Sequence, residues 1–325
     1  MMKEIMSAHI DILLATFNGG KHLREQLDSI LGQAYGQWRL IIRDDGSSDD
    51  SLAIIKEYLT LYPERIILLD NEGRNLGVVG NFSLLLEYSK ADYIMFSDQD
   101  DIWLPHKISA TFEKLIEMEN RFGGDVPLLV YTNQTVVDEN GSDVLADSVW
   151  EYQQLDTRNA TKINRLLLQN IPTGCTIMIN RALRDMALPI PADATMHDWW
   201  LALVAAAFGK SDYVAGSTML YRQHGRNVCG VERWSLLKHF IKFLSPEFRR
   251  ELVIRREILL AGYRKQAMAF VQRYDERLSE EDRVMIRIFA TLDSFVKVRQ
   301  KYYILKYRFF YSNGPVTFAM ILFRW

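Results

Sequence analysis

Cysteine is scarce in this chain of 325 residues: Cys175 and Cys229 are the only two. Two thiols make neither a disulfide framework nor a multi-cysteine metal site. Free thiols suit a reducing compartment, so the expected location is the cytoplasm. Long apolar runs are also missing. No stretch reaches the roughly 18 apolar residues that would span a bilayer. Residues 1–8 hold Lys3 and Glu4 around no apolar core, so no signal peptide is expected there. Charge of one sign is not in excess: the formal net charge is -2. That excludes the basic surface a nucleic-acid binder needs. Internal repeats and low-complexity segments are absent as well. What is present is a hydrophobic content of 48%, enough to bury a large core and to divide into a main domain and an appendage.

The first third alternates two periodicities. Residues 9–15, 38–42, 66–69 and 93–96 are short apolar runs that read as strands. Residues 21–33, 51–61 and 81–89 carry apolar positions at helical spacing, with Leu23, Leu27, Ile30 and Leu31 in the first. Ser48 or Asp49 suits the cap of the second helix. Strands alternating with helices predict a parallel sheet covered on both faces. Ligands bind such sheets at the carboxyl ends of the strands. Three polar clusters fall there: Thr16 to Gly19, Asp44 to Ser48, and Asp98 to Asp101.

The last cluster, Ser97-Asp98-Gln99-Asp100-Asp101, follows an apolar run directly. Asp98 and Asp100, two apart, project to one side of an extended segment. Carboxylates so crowded repel unless a cation or a function offsets the repulsion. A hard divalent ion facing a diphosphate would do so. An acidic loop capping a helix near Pro105 fits the same residues, with Asp101 as cap.

Taken together, Ala15-Thr16-Phe17-Asn18-Gly19-Gly20, Asp44-Asp45-Gly46-Ser47-Ser48-Asp49, Asn75-Leu76-Gly77 and Ser97-Asp98-Gln99-Asp100-Asp101 resemble glycosyltransferase family 2 in order and spacing. The likeness continues through Thr173-Gly174-Cys175, His197-Asp198-Trp199-Trp200 and Tyr221-Arg222-Gln223-His224, covering about residues 8 to 228. It is nearest to the branch of rhamnosyltransferases and O-antigen or capsular polysaccharide enzymes. The resemblance implies a GT-A nucleotide-diphospho-sugar transferase fold, a mostly parallel sheet flanked by helices. It implies an inverting enzyme with a dTDP- or UDP-sugar donor, a saccharide or lipid-linked acceptor, and Mg²⁺ or Mn²⁺. The catalytic domain is expected over 1–230 and a helical region over 231–325.

Inversion needs a held donor, a stabilised diphosphate and a base opposite the leaving group. Asp45, after a strand, can accept from a pyrimidine N–H. Asp44 orients the loop. Thr16, Asn18 and Asn75 fall beside the nucleotide, though turn chemistry explains Asn18 and Asn75 equally well. Asp100 is the expected metal ligand, Asp98 the group for ribose or a metal-bound water, and His224 a further ligand. Arg222 or Arg226 can pair with phosphate oxygens. Asp198, opening an apolar helix, is the implied base; a helix-terminus carboxylate is the plain alternative. His197 is a second choice. Gly174 is placed in the pocket lining, and Trp199 under a sugar ring or in the core.

From Trp234 on, the pattern is helical. After Asp293 no acidic residue occurs, while Lys297, Arg299, Lys301, Lys306, Arg308 and Arg324 lie among many aromatics. That mixture suits either an anionic membrane surface or a helix packed with its basic face in water; an oligomer contact is open too. Two other functions compete. A sugar nucleotidyltransferase would need a basic glycine-rich loop after the first strand, and Lys21 is the sole cation there. An inactive binding scaffold would lack the carboxylates, and Asp98, Asp100 and Asp198 are all present.

Overall fold

The computed structural model describes residues 8–71, 73–225 and 246–312. Arg226, Cys229 and the stripe beginning at Trp234 lie outside them, as do residues 313–325 with Phe318, Phe323, Arg324 and Trp325.

Nine strands form one sheet: β1 (Ile10–Thr16), β2 (Trp38–Asp44), β3 (Ile66–Leu69), β4 (Tyr93–Ser97), β5 (Ile102–Trp103), β6 (Leu128–Val137), β7 (Val144–Ala146), β8 (Met178–Asn180) and β9 (Lys210–Arg222). Their order is β3-β2-β1-β4-β8-β6-β9-β5, with β7 paired to β6. The first four strands are mutually parallel. Helices Gly20–Leu31, Ser51–Leu61 and Gly77–Tyr88 form the crossovers. Ile12, Leu13 and Leu14 are fully buried, as expected of a strand covered on both faces. Beyond β4 the sheet is mixed: β8 runs antiparallel to β4 and β6, β5 antiparallel to β9, and β6 parallel to β9. The expected mostly parallel sheet therefore holds for the N-terminal half. β5, β6, β7 and β9 were not read from sequence.

Register places the site. Thr16 lies opposite Asp44, and Leu14 opposite both Ile42 and Ser97. Three polar loops consequently leave the sheet at one edge. Asp101 does not cap the following helix. It is fully buried, and helix Lys107–Phe122 starts after His106. Helix His197–Phe208 has no polar stripe: Trp200 through Ala205 are all buried, so it belongs to the core.

The chain divides into two compact units. The first draws on Met1–Val149, Pro172–Ala192 and Met196–Gly230. The second takes Val231–Trp325 but also Trp150–Ile171 and Asp193–Thr195, which the division expected at 230 left in the catalytic domain. Hydrogen bonding explains the difference. Asn164 Nδ2 donates to Tyr307 O at 2.9 Å, Arg165 to Phe310 O at 3.0 Å, and Ser312 N to Gln169 Oε1 at 2.8 Å. The helical pattern of the tail is seen as helices Pro246–Tyr274 and Glu280–Ala290, the second with Ser279 Oγ accepting from Asp282 N.

Candidate active site

The three loops are tied to one another. Thr16 Oγ1 and Phe17 N both donate to Gln99 Oε1, at 2.7 and 2.8 Å. Gln99, the variable residue of the acidic motif, thus joins the ends of β1 and β4. Asn18 takes φ 52°, in the left-handed region. Its N–H donates to Ser47 Oγ, and its Oδ1 accepts from Ser48 N, both at 2.8 Å. Asp44 accepts from the Gly46 and Ser47 N–H groups and so orients its own loop.

Asp45 is buried and heavily used. Oδ1 accepts from Arg43 at 2.6 Å and from Leu76 N at 2.8 Å; Oδ2 accepts from Gly77 N at 2.8 Å. About four lone-pair positions exist on a carboxylate, which leaves roughly one. Asn75 donates to Asp45 O and accepts from Gly77 N. Both ends of its amide therefore serve the loop.

The acidic cluster sits past β4. Asp100 Oδ2 lies 2.8 Å from His224 Nε2, and the His224 ring stacks on His22 at 5.3 Å. Burial, then the charges of Asp100 and Asp198, push the Asp98 carboxyl up to about 7. Burial holds Asp101 well above the usual range, with Asp100 and Asp98 adding to it. Against that burial stand the Cys175 thiol, a side-chain hydrogen-bond partner of Asp101, and the charge of Lys107. Below lie Cys175, whose thiol burial pushes up, and Lys107, which burial lowers to about 8.

Asp198 arrives from another element. It stands in the first turn of helix His197–Phe208 behind Met196 at the N-cap. Oδ2 accepts from Gly174 N at 2.7 Å and Oδ1 from Trp199 N at 2.6 Å. Burial raises its carboxyl to about 6. Beside it, the His197 ring is stacked on Phe82 at 3.9 Å, with neither nitrogen bonded among the described residues. Burial lowers that imidazole to about 3, so it is neutral and poorly basic at neutral pH. His197 fails as an alternative base for that reason. A Cβ on Gly174 would lie 2.9 Å from His197 Nε2 and 3.5 Å from Asp198 Oδ2, which is why glycine stands there.

Two expectations need correction. Arg222 is 1% exposed and donates to Asp100 O at 3.0 Å, to Glu139 O at 2.8 Å, and to Glu25. It braces Asp100 from within and has no free face for a phosphate or a sugar. Trp200 is core, donating to Ala187 O at 3.1 Å, and Trp199, at 6% exposed, is too buried to floor a sugar ring. Sequence reasoning missed Gln99, Arg43, Lys107 and the environment of Asp101. Gln99, Lys107 and the surroundings of Asp101 are set by partners distant in sequence, and Arg43 joins its neighbour Asp45 to the distant Asn81 and Arg74 O.

Crowded carboxylates and imidazoles at the carboxyl edge of a parallel sheet are what a sugar-nucleotide-dependent transferase requires. Three comparisons agree. The model of "Glycosyl transferase family 2" matches residues 11–183. The dTDP-rhamnosyl transferase RfbG of Shigella flexneri is 31% identical over 230 residues, 67% of this chain and 74% of that protein. The UDP-Glc:alpha-D-GlcNAc-diphosphoundecaprenol beta-1,3-glucosyltransferase WfgD of Escherichia coli is 26% identical over 54% of this chain and 61% of its own length. S. aureus TarS 1-349 in complex with UDP superposes with a TM-score of 0.54 at 15% identity, covering 91% of this chain and 78% of that one. The chain belongs to glycosyltransferase family 2 and has the GT-A fold.

Proposed function

We propose that this enzyme is an inverting glycosyltransferase of cell-surface polysaccharide synthesis. It moves a sugar, rhamnose in the first instance, from a dTDP- or UDP-sugar to a hydroxyl of a saccharide or lipid-linked saccharide at the cytoplasmic face of the membrane. The relatives RfbG, a dTDP-rhamnosyl transferase, and WfgD, a UDP-Glc glucosyltransferase acting on a diphosphoundecaprenol-linked sugar, support the donor and acceptor classes. The observation that carries the chemistry is the meeting of carboxylates from two elements, Asp98 and Asp100 after β4 and Asp198 on a core helix.

In this reading Asp198 is the general base. Two backbone N–H groups fix its oxygens, and a raised carboxyl is a better proton acceptor than an exposed one. Asp45, through its remaining lone pair, meets a pyrimidine N–H; Thr16, Asn18 and Asn75 hold the loops on which the nucleotide lies. Asp98 reaches the ribose. A divalent ion, Mg²⁺ or Mn²⁺, fits Asp100 and His224: a carboxylate and an imidazole 2.8 Å apart are hard and borderline donors. Asp98, Asp101 and Cys175 also bring donor atoms within 4.8 Å of one another. A thiol is a soft donor and ill suited to Mg²⁺ or Mn²⁺, so that set is not favoured. The bound ion would supply positive charge to the departing diphosphate.

Asp198→Asn tests the assignment. The change is nearly isosteric and still accepts a backbone N–H. Turnover with a soluble acceptor should drop on the order of a hundredfold or more, with donor affinity unchanged. Because the base must be ionised, wild-type turnover should fall as pH decreases through about 6, and the residual activity of the variant should lack that limb. Unaltered turnover would end the role of Asp198 as base.

A further inference from the structure

Helix Lys297–Tyr307 has two unlike faces. Gln300 and Ile304 are buried. On the opposite side Val298 is 81% exposed, Tyr302 57% and Leu305 53%. With 3.6 residues per turn these three project within about 60° of one another. Val296, just before the helix, is 73% exposed. Isolated apolar side chains in water are ordinary, but a stripe at i, i+4 and i+7 is not isolated. The same turn angle puts Lys297 and Lys301 along one border of the stripe and Arg299 and Lys306 along the other. Lys306 Nζ lies 5.9 Å from the Tyr302 ring and 5.0 Å from the Tyr307 ring. The helix has no acidic residue.

A face that is apolar in the middle and cationic at both edges matches a helix lying flat in a bilayer interface, its side chains among acyl chains and its cations at headgroup phosphates. We propose that this face docks on an anionic lipid surface. The partner class is set by charge: a second copy of the helix would bring two cationic borders together, whereas anionic headgroups neutralise both. No helix among the described residues is long and apolar enough to cross a membrane, so attachment of this kind is peripheral. The proposal deepens the reading of a lipid-linked acceptor and rests on it for its purpose, not for its test.

The test uses the full chain and sedimentation with phosphatidylcholine vesicles, with and without about 30% phosphatidylglycerol. Wild-type protein should pellet with the anionic vesicles at low salt and be released by high salt, since the cation contribution is screened. Lys301→Glu with Lys306→Glu should weaken binding by at least roughly tenfold, at about 1 kcal/mol per basic residue near the surface. Val298→Ser with Leu305→Ser should weaken it with the charges intact. All four positions carry exposed or half-exposed side chains, so folding should survive, as circular dichroism would verify. Transfer to a water-soluble acceptor should be unchanged in every variant. Wild-type protein that ignores anionic vesicles at low salt, or variants that bind as well as wild type, would overturn the docking face. So would variants that turn a dimer into a monomer, which would make the face a protein interface. Each of these leaves the glycosyltransferase reading standing; loss of wild-type transfer to the soluble acceptor would strike that reading instead.

Discussion

At the scale of single residues, the site depends on side chains that hold other side chains. Gly174 is the clearest case. Its N–H fixes Asp198, and the space where a Cβ would sit is filled by the buried His197 ring, itself stacked on Phe82. Gly174→Ala therefore cannot be absorbed by a flexible chain end. Overpacking of this kind costs about 1–3 kcal/mol. Turnover should fall at least tenfold as Asp198 moves, while nucleotide affinity, set on other loops, stays near its wild-type value. Steady-state kinetics beside a nucleotide titration would check the split; equal losses in both would mean general unfolding. The sequence exposed Asp98, Asp100 and Asp198 because their motifs are contiguous. It misassigned Arg222 because a motif does not reveal which way an arginine faces. Here the guanidinium turns inward to Glu25, Glu139 and the Asp100 carbonyl.

At the scale of elements, the working edge is a set of strand ends cross-tied by short polar bridges. Arg43 and Asp45 close one of them: the arginine is buried, pairs with Asp45 at 2.6 Å and also donates to Arg74 O at 3.0 Å. Asp45 in turn holds the N–H groups of Leu76 and Gly77, at the start of helix Gly77–Tyr88. Arg43→Leu would leave a buried carboxylate without its cation, a change that typically costs about 3–5 kcal/mol. Denaturant melts should move by an amount of that order, and nucleotide affinity should weaken with the loosened 75–77 loop. A double change of Arg43→Leu with Asp45→Asn should recover part of the stability, because the amide oxygen keeps one of the two backbone N–H bonds, but not nucleotide binding. Failure to recover stability would mean that Arg43 matters through its other partners. Strands β1 to β4 were legible because each is an apolar run between turn signals. β5 and β7 were not: two and three residues long, they exist through pairing with β9 and β6. The helix opened by Asp198 was legible as a continuous apolar run, and it begins at His197 and ends at Phe208.

At the scale of the whole molecule, ionisable groups are sorted by place rather than by amount. A net charge of -2 conceals an acidic cluster at the strand ends and an acid-free segment after Asp293. The acidic cluster has a consequence for ligand binding. Donor nucleotides bring a diphosphate toward carboxylates that already repel one another, so neither partner should bind well without a cation between them. Nucleotide and metal should thus be strongly cooperative. In a thermal-shift screen of UDP-, dTDP- and GDP-sugars, each with and without Mn²⁺, the cognate donor should raise the melting temperature by several degrees only when metal is present. Saturation at about a hundred times Kd would contribute about 2.7 kcal/mol to the folded state. Asp100→Ala should keep the fold and lose the metal-dependent part of the shift, because it removes the carboxylate proposed to hold the ion beside His224 and leaves the brace from Arg222 to the main-chain oxygen in place. A dTDP- or UDP-sugar giving the same shift in EDTA as in Mn²⁺ would mean that Asp98 and Asp100 bind the nucleotide without an ion. A GDP-sugar giving the largest shift would instead count against the pyrimidine contact at Asp45.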